Sequence, residues 1–120
     1  MGEWQSIEEM DVFRELERLS DEVWERVSNW SPLAQDTVGK QLVCALDSIG
    51  ANLVEGDGRY TYRDKLNYCY IARGSLKETC YWIRRVQQRS LLQDDVAHSL
   101  LQRLERIQRW LNALITQRRQ

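Results

Sequence analysis

Side chains with reactive chemistry are few in this chain, and their spacing argues against a catalytic centre. His98 is its one imidazole. It follows Asp95 by three residues, the spacing that sets two metal ligands on one helix face. A dinuclear bundle site requires two Glu-x-x-His motifs and two further carboxylates, and no second copy exists. Ser99, beside His98, points to another helix face, so no nucleophile–base pair is formed. Cys44, Cys69 and Cys80 are an odd set without Cys-x-x-Cys spacing. They read as reduced, soft core residues, not as a disulfide framework or a zinc site. No metal, no cofactor and no enzymatic activity are expected.

Arginine interleaved with aromatics is the next candidate chemistry. Arg84, Arg85 and Arg89 lie close together, and Arg103, Arg106 and Arg109 recur at spacing three, with Tyr81, Trp82 and Trp110 among them. Such a surface suits RNA or single-stranded DNA. The same composition also serves protein interfaces. A third reading is internal: residues 1–30 carry nine acids against three bases, and residues 84–120 carry eight arginines against three acids. The acidic segment and the basic one then lie side by side. Net charge is −1, so no global field draws the chain to nucleic acid.

Gly56-Asp57-Gly58 is the remaining feature with a chemical reading. Phosphate-cradling loops follow a strand and present more glycines than this. The stretch reads instead as a helix C-cap, a turn and an N-cap, with Gly56 in the left-handed conformation and Gly58 as a second permissive position.

The elements that position these residues are helical. Ser6 and Glu9 have capping-box spacing before a segment from about Ile7 to Asn29. Its stripe is Val12, Leu16, Leu19, Val23, Val27 and Trp30, widened by Phe13 and Trp24. Ser31-Pro32 opens a second segment reaching Glu55, with Val38, Leu42, Ala45 or Leu46, Ile49 and Leu53 inward. Val43, Cys44 and Val54 are apolar beyond that stripe, which marks them as candidates for a subunit interface. Thr61, with Asp64 three residues on, caps a third segment from about Tyr62 to Arg89. Its face runs through Leu66, Tyr70 with Cys69, Arg73 or Gly74, Leu76 or Lys77, Cys80, Ile83 and Val86 or Gln87. Gly74 within it implies a close helix–helix approach. After a tight connection at Ser90-Leu91-Leu92, a fourth segment runs from about Gln93 to Gln117 on Val96, Leu100, Leu101, Leu104, Ile107, Leu111, Leu114 and Ile115. Long helices and short turns predict one all-α domain, an antiparallel up-down-up-down four-helix bundle over residues 1–120 with 1–5 frayed. Without an apolar leader or a run of about 18 apolar residues, no membrane partner and a cytoplasmic location are expected. The Met1-Gly2 start is a chance likeness to a myristoylation signal.

Two polar pairs flank the turn. Asn52 and Glu55 are three apart on one helix, and Ser75 and Glu78 three apart on the next. In a hairpin centred near Gly58, residue 52 faces about residue 65 and residue 75 about residue 42, so the pairs stand at two heights. They read as locks on helix register, with Glu55 alternatively bonding N–H groups around Gly58 and Arg59.

These residues carry a resemblance. Ser48-Ile49, Asn52, Glu55-Gly56, Gly58-Arg59, then Ile71-Ala72, Gly74-Ser75-Leu76 and Glu78 resemble the four-helix-bundle proteins related to the 23S rRNA intervening-sequence protein. The accessory variability proteins of diversity-generating retroelements share this design. The likeness runs from about Asp11 to Ile115. It implies self-assembly into a ring, usually a pentamer, and a non-enzymatic role. In the retroelement branch that role is binding of RNA or DNA and of a reverse transcriptase. Asn52, Glu55, Gly56, Gly58, Arg59, Gly74, Ser75 and Glu78 are the positions that match the family pattern. The chain departs from it where Val43 and Cys44 replace arginines after Gln41 and where Gly50 replaces a proline. The alternative is a protein–protein scaffold that binds no nucleic acid.

Overall fold

A computed structural model describes residues 6–119; the expected fraying of residues 1–5 and the Met1-Gly2 reading fall outside them. The described residues form helices and no strands. A 3-10 turn, Ile7–Glu9, precedes α1 (Asp11–Ser28). The second long helix is α2 (Pro32–Ala34), a π turn over Gln35–Gly39 and α3 (Lys40–Asp57), without a break. Helices α4 (Tyr62–Gln88) and α5 (Asp94–Arg119) complete an antiparallel four-helix bundle measuring 51 × 24 × 20 Å. The α3–α4 hairpin is its closest-packed pair.

The apolar stripes read from the sequence form one continuous core. Leu16, Leu19, Leu42, Leu46, Ile49, Leu53, Leu76, Ile83, Leu104, Ile107 and Leu111 are almost fully buried in it. Ser31 caps α2 by accepting a hydrogen bond from Ala34 N–H (3.3 Å), and Thr61 caps α4 by accepting one from Asp64 N–H (3.1 Å). These bonds satisfy donors that the first helical turn leaves free.

Several local expectations are corrected. Ser6 does not cap α1: its hydroxyl donates to Glu8, and α1 starts only after Met10. Trp24 lies 61% exposed, so it does not widen the buried face. On α4, Ala72 and Thr79 are buried, not Arg73, Gly74 or Lys77. Gly56 does not end its helix and is not left-handed; among the described residues no glycine has positive φ. Gly58 has φ −84°, open to any residue. The left-handed residue is Ser90, with φ 61°. Ser90 N–H donates to Gln87 C=O (3.0 Å) and Leu91 N–H to Val86 C=O (2.9 Å), the two bonds of a Schellman ending.

Close packing accounts for Gly56. A Cβ there would lie 2.6 Å from Tyr68 Cβ and 3.4 Å from Lys65 C=O, so the absent side chain lets α3 and α4 approach. Gly39 has a similar role in the π turn, where a Cβ would meet Val27 Cγ1 at 2.8 Å. Gln35 in the same turn donates from Nε2 to the carbonyls of Val27 and Ser28, 3.0 Å each, satisfying acceptors at the end of α1. Gly74 gives the opposite result: within this chain nothing lies within 4 Å of the Cβ it lacks. The close approach expected there is absent from the bundle.

Two substitutions separate these roles in urea unfolding. Gly56→Ala is expected to lose about 1–3 kcal/mol through overpacking against Tyr68. Ser90→Gly is expected to gain about 1 kcal/mol, because glycine occupies the left-handed region without strain.

Candidate functional site

The polar family-pattern residues sit mostly in the hairpin. Because α3 continues to Asp57, the hairpin is centred beyond Gly58, and Ser75 faces Ser48 and not residue 42. The two hydroxyls are 3.4 Å apart, and Asn52 Nδ2 donates to Ser48 C=O (2.7 Å). Asn52 and Ser75 therefore meet through Ser48, where two separate heights were expected. Thr79 Oγ1 donates to Ser75 C=O (2.8 Å) one turn further on. Glu55 does not bond turn N–H groups, which the carbonyls of Val54 and Gly56 already engage. It accepts instead from Arg59 Nη2 (2.7 Å), which also donates to Tyr68 OH (2.6 Å); Arg59 Cζ lies 4.9 Å from that ring's centre. Glu78 accepts from Trp82 Nε1 (3.0 Å). These contacts hold register and ring orientation, and none converges on a reacting atom.

Tyr70 was assigned by sequence to the buried face, yet it organises a surface cluster. Arg119 donates to its hydroxyl (2.7 Å from Nη2), and the guanidinium groups of Arg73 and Arg119 lie 5.2 and 5.7 Å from its ring centre. Arg73 Nη1 donates onward to Asn112 Oδ1 (3.3 Å), so the cluster clamps α4 to α5.

The six candidate arginines separate into different roles. Arg103 is only 18% exposed in its side chain and bonds Glu15 (2.8 Å) and Glu22 (2.5 Å) across to α1. Burial alone would push the Glu15 carboxyl up, but the hydrogen bonds and charges of Arg103 and Arg18 outweigh it and hold the carboxyl below its ordinary 4.5. The acidic first helix thus does lie beside the basic last one, through this residue. Arg109 makes an exposed pair with Glu105 on its own helix (3.3 Å). Arg84, Arg85, Arg89 and Arg106 have no carboxylate partner among the described residues.

Arg85 and Arg89 line a shallow hollow between the π turn and the end of α4. Tyr81 and Trp82 form its aromatic wall, edge to face with ring centres 4.9 Å apart. Asp36, Thr37 and Gln41 supply the opposite rim; Arg84, one residue before Arg85, is exposed but does not line the hollow. Arg106 and Arg109 do not line this hollow, so the structure does not unite the six into one site.

Val43, Cys44 and Val54 do share a surface feature. They line two adjoining hollows along the junction of α1 with α3. Exposed Trp24 borders one hollow; Glu17, Asp21 and Asp47 rim the other. Sequence reading missed this acidic rim. Its signal was available in Glu17 and Asp21, like charges one helical turn apart, a spacing that repels. Elsewhere, His98 is exposed, and Asp95 accepts from Val96 N–H (2.9 Å). No group of three His, Cys, Asp or Glu among the described residues is arranged to hold a metal.

The architecture is that of an all-α antiparallel bundle whose open features are an arginine–aromatic hollow and an acid-rimmed groove. Residues 8–113 match the model of the 23S rRNA-intervening sequence protein family, and the chain belongs to that family. A crystal structure of a protein of unknown function from the S23 ribosomal protein family of Bacteroides thetaiotaomicron superposes with a TM-score of 0.76 at 19% identity, covering 87% of this chain and 97% of that one. At that identity the likeness concerns the fold. No curated protein matches the chain. No enzymatic family is indicated, and no helix among the described residues is long and apolar enough to cross a membrane.

The ion-pair geometry predicts a pH-dependent cost for Arg103→Met. At neutral pH it is expected to lose about 1–2 kcal/mol, the value of charged hydrogen bonds discounted for partial exposure. Glu15 contributes stability above its unfolded value and loses it as pH falls through its lower folded value. The difference between wild type and variant in urea unfolding should therefore shrink as pH drops below 4.5.

Proposed function

We propose that this chain is a non-enzymatic, self-assembling accessory protein that binds RNA or DNA through the hollow formed by Tyr81, Trp82, Arg85 and Arg89, with the exposed Arg84 adjacent in sequence as a further cation. The observation that carries this reading is the pairing of carboxylate-free guanidinium groups with an aromatic wall at one concave place. Phosphates take the cations and unstacked bases take the rings. A pentamer is the assembly suggested by the resemblance, and a reverse transcriptase bound alongside the nucleic acid is the partner enzyme it suggests; a cytoplasmic location is the compartment that reduced cysteines suit.

Salt dependence tests the binding. Three phosphate contacts on a single strand predict a loss of about tenfold in affinity between ~50 and ~150 mM salt. Filter binding with single-stranded RNA and DNA should show that loss, and Arg85→Glu with Arg89→Glu should abolish retention at the lower salt. Arg103→Met, whose guanidinium serves α1, should bind as wild type does. No retention by the wild type at the lower salt would overturn the reading.

A second reading, a protein scaffold without nucleic-acid binding, is supported by the open apolar groove along α1 and α3. Assembly without RNA or DNA retention would favour it.

A further inference from the structure

We infer that the groove between α1 and α3 is the seat for the outer face of α4 from a second copy of this chain. The inference rests on the self-assembly reading and names the two surfaces that would carry it. The groove has hollows of about 310 and 390 Å³, too open to be core defects; apolar and small residues line much of both, with three acids at the first and Gln35 and Lys40 at the second. Phe13, Leu16, Gly50 and Ala51 form the floor at one end, with Val54 exposed along it; Trp24, Val43 and Cys44 line the other. Glu17, Asp21 and Asp47 rim the first hollow and have no cation paired to them among the described residues. Burial, and then the charge of Asp21, push the Asp47 carboxyl up. Three carboxylates gathered over an apolar floor leave the chain with an unbalanced local charge.

The outer face of α4 has the complementary character. Arg63, Asn67, Tyr70, Gly74 and Lys77 recur at alternating steps of four and three, which makes one stripe along the helix. Arg63 and Lys77 are exposed and have no carboxylate partner among the described residues. Ile71 lies beside the stripe, half exposed at 50%. The nearby acid Glu78 is engaged by Trp82. Gly74 stands in the stripe one turn before Lys77, and the space above it is empty of this chain. Glycine in mid-helix costs about 1 kcal/mol against alanine, and no contact within the bundle returns that cost. A neighbouring helix pair approaching at Gly74 would use the missing side chain, with Gly50 and Ala51 on the facing surface equally small.

A cationic helix face laid into an acid-rimmed apolar groove is helix-in-groove recognition. Groove and ridge belong to different helices, so each copy offers one of each. The contact is head-to-tail, and it closes into a ring when its rotation divides a full turn.

Light scattering at micromolar concentration tests the contact with charge reversals on exposed residues. Asp21→Lys with Asp47→Lys reverses the groove, and Arg63→Glu with Lys77→Glu reverses the ridge. Each double variant is expected to fall to monomer mass. A chain carrying all four reversals is expected to regain wild-type mass, because the complementarity is restored. Gly74→Leu, at an exposed position that leaves the bundle folded, should weaken assembly by about tenfold or more. A wild type that is already monomeric defeats the assembly reading itself. Wild-type mass retained by both double variants and by Gly74→Leu overturns the groove–ridge contact alone. Unchanged mass with RNA retention lost in the ridge variant also overturns it, and assigns that face to nucleic acid.

Discussion

Asp57, the last residue of α3, ties one end of the bundle together. Its carboxylate accepts from Arg118 Nη2 (3.3 Å) near the end of α5 and from Ile7 N–H (3.3 Å) in the N-terminal turn. Its carbonyl accepts from Lys65 Nζ (2.7 Å) on α4. Arg118 reaches on to Cys69 Sγ (3.4 Å), and burial pushes that thiol up against the pull of the guanidinium. A charge pair this deep recovers little net energy, since desolvation offsets attraction. Its value is geometric. Apolar stripes tolerate sliding by a turn, but the carboxylate and guanidinium meet only when α3, α4 and α5 are in one register. The same register brings Ser48 to Ser75 and seats Tyr68 over Gly56.

This constraint explains which parts of the fold were legible in the sequence. Helix number, order and inward faces follow from the period of Leu, Ile and Val, because burying a stripe requires little beyond that period. The glycines were harder to read. Glycine is used for two distinct physical reasons, a left-handed backbone or a missing Cβ, and a sequence shows only the letter. Gly56 belongs to the second kind, while the left-handed turn went to Ser90, whose type does not announce it. The hairpin centre shifted for the same reason: a helix that passes through Gly56 moves every facing residue along α4.

The arginines show a similar limit. Steps of three drift around a helix by about 60° each, since a turn takes 3.6 residues. Arg103 therefore faces the acids of α1, whereas Arg106 and Arg109 have rotated away. Spacing alone suggested one basic stripe; neighbours divide it. Arg118 stands in the last turn of α5, where a cation suits the helix dipole, yet with Thr79 it is one of the buried polar residues among those described. Arg85 and Arg89 stayed open because the π turn facing them offers one carboxylate, Asp36, and mostly neutral groups.

The residues that carry the family resemblance and those that would choose a partner are largely different sets. Asn52, Gly56 and Ser75 act inside the hairpin, where their size and hydrogen bonds admit few substitutes. The open arginines, the α4 stripe and the acidic rim lie on surfaces where the fold tolerates most side chains. Membership of the family thus follows from packing constraints that say little about ligands. The near-zero net charge is equally uninformative about binding, because it sums an acid-rimmed groove with carboxylate-free cations on α4. A charge that cancels over the whole molecule while remaining separated across its surface gives little long-range attraction to any polyanion. It leaves recognition to contacts at close range, within the ~8 Å beyond which physiological salt screens exposed charges. Gly74 is where the two sets meet, as a family-pattern residue whose missing side chain serves no contact of its own bundle.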